Sequence, residues 1–131
     1  MQKKILIVLS DYYKDISENL LKGATDCINS YDKTTFKLNY DVKIAPGSFE
    51  IPYLIAQNTE SYDGFISLGC IIRGETYHFE IIANECSRSI MNISIQSKKP
   101  IGFGILTCEN IAQAIERSDP NKKNKGKEAA L

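Results

Sequence analysis

Four short apolar runs rich in β-branched residues, at 4–9, 40–45, 65–71 and 101–106, are each followed by a stretch whose apolar residues recur at helical spacing. After the first run, Ile16, Leu20, Leu21, Ala24, Cys27 and Ile28 fall on one helical face, and Asp15 with Glu18 three residues on has the spacing of an N-terminal cap. After the second, Ile51, Leu54 and Ile55 do the same. Pro52 is tolerated only in a first helical turn, so this helix is expected to begin around Ser48 or Phe49. The third run leads into Phe79, Ile82, Ala83, Cys86, Ile90 and Ile93, and the fourth into Ile111, Ala114 and Ile115. Near-continuous apolar strands alternating with amphipathic helices imply a parallel sheet covered on both faces, because parallel crossovers lay helices above and below it. The expected fold is of the α/β class, a three-layer α/β/α arrangement on a four-stranded parallel sheet. A chain of 131 residues can bury such a core as one domain without disulfides or metals. Residues 118–126 are polar and rich in Lys and Asn, and 127–131 read as a short helix-forming tail.

Charge narrows the function classes. Sixteen basic residues balance sixteen acidic ones, without the basic excess of a nucleic-acid or membrane-surface binder. Zero net charge also lowers the solubility of a monomer and mildly favours assembly. The run at 5–9 is too short to span a bilayer and no small-residue cleavage site follows it, so a cytoplasmic protein is expected. Cys27, Cys70, Cys86 and Cys108 never form C-x-x-C, and His78 is the only histidine. A dedicated Cys/His zinc site is therefore not expected, and the cysteines read as small buried apolar residues.

Ligands of doubly wound sheets bind beyond the carboxyl ends of the strands, which here are residues 10–13, 45–51, 69–78 and 107–110. Arg73-Gly74-Glu75-Thr76-Tyr77-His78 leads into the third helix, where unpaired backbone donors and the helix dipole suit a phosphate, although such a glycine also serves as a plain turn. His78 is placed either to shuttle protons or to cap that helix. Ser48 and Glu50 offer a hydroxyl and a carboxylate to a polyol, or ordinary capping chemistry. Tyr12 and Tyr13 suit stacking on a flat heterocycle. Arg117, Lys122, Lys123 and Lys125 supply positive charge for a phosphate, or form a solvated helix end. On the residues alone, the chain is an α/β domain for a small phosphorylated or polyol-bearing ligand.

Four blocks narrow this further. P-G-S-F-E-I-P at 46–52, L-G-C-I-I-R-G-E-T-Y-H-F-E at 68–80, G-F-G-I-L-T-C-E-N-I-A-Q-A-I-E-R at 102–117 and N-K-G-K-E-A-A at 124–130 resemble the lumazine synthase family, in its order and spacing. The resemblance implies a flavodoxin-like fold and the condensation of 5-amino-6-(ribitylamino)uracil with 3,4-dihydroxy-2-butanone 4-phosphate, without metal or organic cofactor. It matches Tyr12 to an aromatic that stacks on the pyrimidine. Ser48, Phe49 and Glu50 match substrate-binding positions, Ser48 and Glu50 on the polyol side, and Ile72 matches a residue whose backbone holds the ring. Gly74, Glu75 and Thr76 match a phosphate loop, His78 a proton-transfer residue and Arg117 a phosphate clamp. Phe103 and Lys125 match positions that reach the pyrimidine from the adjacent subunit. The implied assembly is a homopentamer, or a larger assembly of pentamers, acting on small molecules rather than nucleic acid or membrane. Asp11-Tyr12-Tyr13 departs from the Arg-Phe-Asn common in the family's first loop, and Asn121 stands where lysine is frequent. The rival readings are the related archaeal-type riboflavin synthase and a non-catalytic flavin- or lumazine-binding module on the same scaffold.

Overall fold

The computed structural model of the chain describes residues 2–30, 37–74, 78–119 and 124–130. In chain order it contains β1 (Gln2–Ser10), α1 (Lys14–Asn29), β2 (Lys37–Ala45), a 3-10 turn (Ser48–Glu50) running into α2 (Ile51–Gln57), β3 (Gly64–Ile72), α3 (His78–Ser97), β4 (Ile101–Cys108), α4 (Ile111–Ser118) and α5 (Lys125–Ala130). The strands form one sheet in the order β2-β1-β3-β4, with every pairing parallel.

Alternation along the strands divides the core in two. Ile7, Leu9, Ile66, Leu68, Cys70, Leu106 and Cys108 pack against Ile16, Leu20, Ala24 and Ile28 of α1 and Ala114 of α4. On the opposite face Leu6, Val8, Phe65, Ile71 and Ile105 meet Ile51 and Ile55 of α2 and Cys86 and Ile90 of α3. This is the expected three-layer α/β/α fold, and it explains why β1 and β3 lack the polar alternation of a half-exposed strand: both of their faces are covered. The two outer strands differ. Among the described side chains of β2 only Ala45 is buried, with Val42 and Ile44 exposed, and in β4 Phe103 is exposed. The apolar run at 40–45 thus belongs to an edge strand rather than to the interior of the sheet.

Helix starts follow local chemistry with one exception. Pro52 sits in the first turn of α2, and the preceding 3-10 turn carries the chain from Ser48 into it, as the proline requires. Asn110 caps α4, its side-chain oxygen accepting from the Gln113 amide at 3.0 Å. The cap expected from Asp15 and Glu18 is absent: α1 begins at Lys14 with Tyr13 at the capping position and no side-chain bond. Tyr13 offers its carbonyl to the Ser17 amide at 2.9 Å, and the Ser17 hydroxyl donates to the Ser10 carbonyl at 2.7 Å. Asp15 remains in the first turn, where its charge still complements the helix dipole. The tail helix starts at Lys125, two residues before the expected position. Among the described residues no helix is long and apolar enough to cross a membrane.

Candidate active site

In a sheet ordered β2-β1-β3-β4 the connections from β1 and β2 leave on opposite faces, which opens a crevice beyond the carboxyl ends of β1 and β3. A cleft of about 400 Å³ lies there. The loop after β1 contributes Tyr12 and Tyr13, the turn after β2 contributes Pro46 to Glu50, β3 contributes Cys70, Ile71 and Ile72, and α3 contributes His78 and Ile82. The structure therefore brings seven of the residues singled out from sequence together: Tyr12, Tyr13, Ser48, Phe49, Glu50, Ile72 and His78. Cys70, Ile71 and Ile82 were not singled out from sequence, because at a strand end or on a helical stripe they carry only the pattern of core residues.

The cleft has a hard floor and an aromatic rim. Tyr12 is 72% exposed and meets Tyr13 edge-on, ring centroids 5.0 Å apart, so Tyr13 packs onto the core while Tyr12 presents its ring to solvent. Burial, and then the neighbouring Cys70, push the Tyr13 phenol above its ordinary pKa. Burial likewise pushes the Cys70 thiol up to about 12, with Cys108 beside it adding to the effect, so neither group is a proton carrier near neutrality. His78 stands at the first position of α3, on the lining of the same cleft.

Ser48 is held on both sides. Its carbonyl accepts from the Cys86 thiol at 3.3 Å, and its hydroxyl is buried without a hydrogen-bond partner among the described residues. That oxygen fills the space over Gly69, where an added Cβ would come within 2.6 Å of it. In this rotamer the hydroxyl lies over Gly69 of the sheet, while Ser48 also lines the cleft. Glu50 and Phe49 are exposed at the rim.

The remaining predicted residues lie elsewhere. Phe103 and Lys125 line a second groove of about 550 Å³, between the other end of the sheet and α5. Arg117 occupies the last turn of α4, donating to the Gln113 carbonyl at 3.3 Å. Its charge offsets part of the burial effect that raises the Cys108 thiol. Gly74 follows β3 with open space around it. Glu75 and Thr76 lie outside the described residues, as do Asn121, Lys122 and Lys123. Arg73, just before Gly74, was not singled out from sequence as a functional residue. It donates through Nε to Glu109 at 2.7 Å and pairs through Nη1 with Glu80.

These features define a doubly wound parallel α/β protein with a small-molecule-sized cleft at its topological switch point, with one histidine and an exposed tyrosine at the rim. Comparison with known proteins is specific: the family model described as 6,7-dimethyl-8-ribityllumazine synthase matches residues 2–131. Proteins named 6,7-dimethyl-8-ribityllumazine synthase share 47% identity in Bartonella tribocorum, covering 99% of this chain and 86% of that one. Those of Blochmanniella pennsylvanica and Agrobacterium fabrum share 45% and 43%, covering 98% and 97% of this chain and 82% and 89% of theirs. The chain belongs to the 6,7-dimethyl-8-ribityllumazine synthase family.

Proposed function

We propose that the chain acts in riboflavin biosynthesis, as one cytoplasmic domain. It condenses 5-amino-6-(D-ribitylamino)uracil with 3,4-dihydroxy-2-butanone 4-phosphate to 6,7-dimethyl-8-ribityllumazine, releasing phosphate and water. The observation that carries this reading is the match along residues 2–131 combined with one cleft lined by Tyr12, Ser48, Glu50, Ile72 and His78. Tyr12 stacks on the pyrimidine, the Ile72 backbone holds the ring edge, and Ser48, Phe49 and Glu50 receive the ribityl side. Gly74, Glu75 and Thr76, which precede α3 in the sequence, take the phosphate, since donors at a helix start favour an anion. Arg117 clamps that phosphate, and Phe103 and Lys125 close over the pyrimidine.

Amine attack on a ketone, loss of water, loss of phosphate and ring closure each move a proton near neutral pH, and one imidazole serves them in turn. Holding both substrates in register contributes most of the acceleration, since proximity is worth roughly 7 to 11 kcal/mol. The residues assigned to one reaction line separate parts of a single chain, which supports a site shared between neighbours in a homopentamer. Exposed Phe103, Ile111 and Ile115 along β4 and α4, and Ile81, Met91 and Ile95 on α3, supply the apolar surface such neighbours bury.

Supplying both substrates tests the reading directly: lumazine fluorescence and equimolar phosphate release are expected. Lumazine binding without turnover, or riboflavin formed from lumazine alone, overturns it. His78→Ala is expected to lower kcat by about tenfold to a hundredfold, and a loss beyond about 10⁴ would show that acid-base chemistry rather than proximity dominates.

A further inference from the structure

Arg73 does not line the cleft, yet its side chain is held from several directions. Nε donates to Glu109 Oε2 at 2.7 Å, and Nη1 donates to Glu80 Oε1. The guanidinium carbon lies 4.5 Å from the centroid of the Phe79 ring. The Arg73 amide donates to the Cys108 carbonyl at 2.8 Å, which ties the same residue to the end of β4. Glu109 is braced in turn, its amide donating to Gln113 Oε1 at 2.8 Å. Isolated surface ion pairs contribute little, but a fork shared by two carboxylates from different elements and stacked on a ring has its rotamer fixed from several directions. The two carboxylate bonds keep the guanidinium charged, and the Arg73 bond holds the Glu80 carboxyl below its ordinary range.

The position of this clamp matters more than its strength. Phe79 and Glu80 are the two residues immediately after His78, so one guanidinium grips the first turn of α3, the turn that His78 opens. We propose that Arg73 is a positioning residue: braced by Glu109, it fixes Phe79 and Glu80 and thereby the His78 ring at the cleft rim. The inference rests on the proton-transfer role given to His78, and it adds a residue that acts on the reaction only through that ring.

The test is a double-mutant cycle in the assembled enzyme, with lumazine formation followed at saturating and at limiting levels of each substrate. Arg73→Met keeps the apolar stem over Phe79 and is expected to lower kcat by about tenfold, because small misplacement of a reacting group is costly. Both KM values should stay within about threefold of the parent. Arg73→Lys retains the charge but not the two-sided fork and should fall between the two. In a His78→Ala background, Arg73→Met should change kcat by less than about twofold, since the group it positions is gone. Glu80→Gln should behave like a weaker Arg73→Met and decides the matter in the same way if Arg73→Met does not fold. An equal loss of kcat with and without His78, or a parental kcat for both Arg73→Met and Glu80→Gln, overturns the positioning role while leaving the function intact. A parent that forms no lumazine removes the functional reading itself, and with it this inference.

Discussion

Arg117 and the cysteines show how much a single side chain decides. By the proposed assignment Arg117 meets only the phosphate, a group remote from the attacking amine. Arg117→Ala should therefore raise the KM for the butanone phosphate by about tenfold to a hundredfold, the size of a lost charge-assisted contact, and leave the KM for the pyrimidine nearly unchanged. Separate titrations of the two substrates check this, and equal losses for both contradict the role. The thiols are governed by burial instead. Cys70 and Cys86 are buried and pushed up to about 12, so near pH 8 both stay protonated thiols. Cys108 is also buried and raised, whereas Cys27 on α1 is partly exposed. Iodoacetamide at pH 8 should accordingly label Cys27 first in the folded protein, with the other three reacting on the timescale of unfolding, as peptide mass mapping would show. Fast labelling of Cys70 would mean that the cleft floor opens. Cys70, Cys86 and Cys108 match the sequence reading of the cysteines as small buried apolar residues, whereas Cys27, only partly buried, departs from it. The inward rotamer of Ser48 was not legible, because it depends on the absent side chain of Gly69 on a strand distant in sequence.

At the scale of elements, α5 illustrates a contact made possible by missing side chains. Gly126 lies so close to α1 that an added Cβ would stand 1.9 Å from the Leu20 carbonyl oxygen. Asn124, just before α5, donates to the Asn19 carbonyl at 2.9 Å and the Ser118 carbonyl at 2.7 Å, which joins α1, α4 and α5 at one point. Gly126→Ala must push the helix away, and overpacking of this kind costs about 1 to 3 kcal/mol, measurable as a lowered unfolding midpoint in urea. Because Lys125 starts the same helix, the variant should also raise the KM for the pyrimidine. An unchanged midpoint would show that α5 docks less tightly than its geometry implies. Strand and helix placement was largely legible in the sequence, since period and Pro52 are local signals. Covering partners are not local. The stripe Ile111, Ala114 and Ile115 of α4 has the right spacing for a core face, yet only Ala114 is buried, while Ile111 and Ile115 are 50% and 54% exposed. Asp15 lost its capping role for a similar reason: the Ser17 hydroxyl, drawn to the Ser10 carbonyl, sets where α1 begins.

For the whole molecule, the separation of the assigned residues within one chain has a consequence that can be measured. His78 borders the cleft with Tyr12 and Ile72, whereas Phe103 and Lys125 line another groove and Arg117 rides on α4, whose Ile111 and Ile115 face outward. If the sites lie between neighbours of a closed ring, each site takes His78 from one subunit and Arg117 from the next, and neither residue alone completes it. A His78→Ala subunit keeps its arginine and an Arg117→Ala subunit keeps its histidine. Mixed rings can therefore rebuild an intact pair at an interface although both variants are impaired. Random mixing in equal amounts leaves about a quarter of the interfaces intact, because cyclic symmetry gives every interface one contributor of each kind. The two variants are dissociated, reassembled singly and together, and assayed for lumazine at a limiting concentration of the butanone phosphate, with native mass spectrometry confirming mixed rings. Activity well above the mean of the two parents is expected. If confirmed mixed rings give only that mean, His78 and Arg117 act within one subunit, and the exposed faces of β4, α3 and α4 must be explained by an assembly that leaves each site whole.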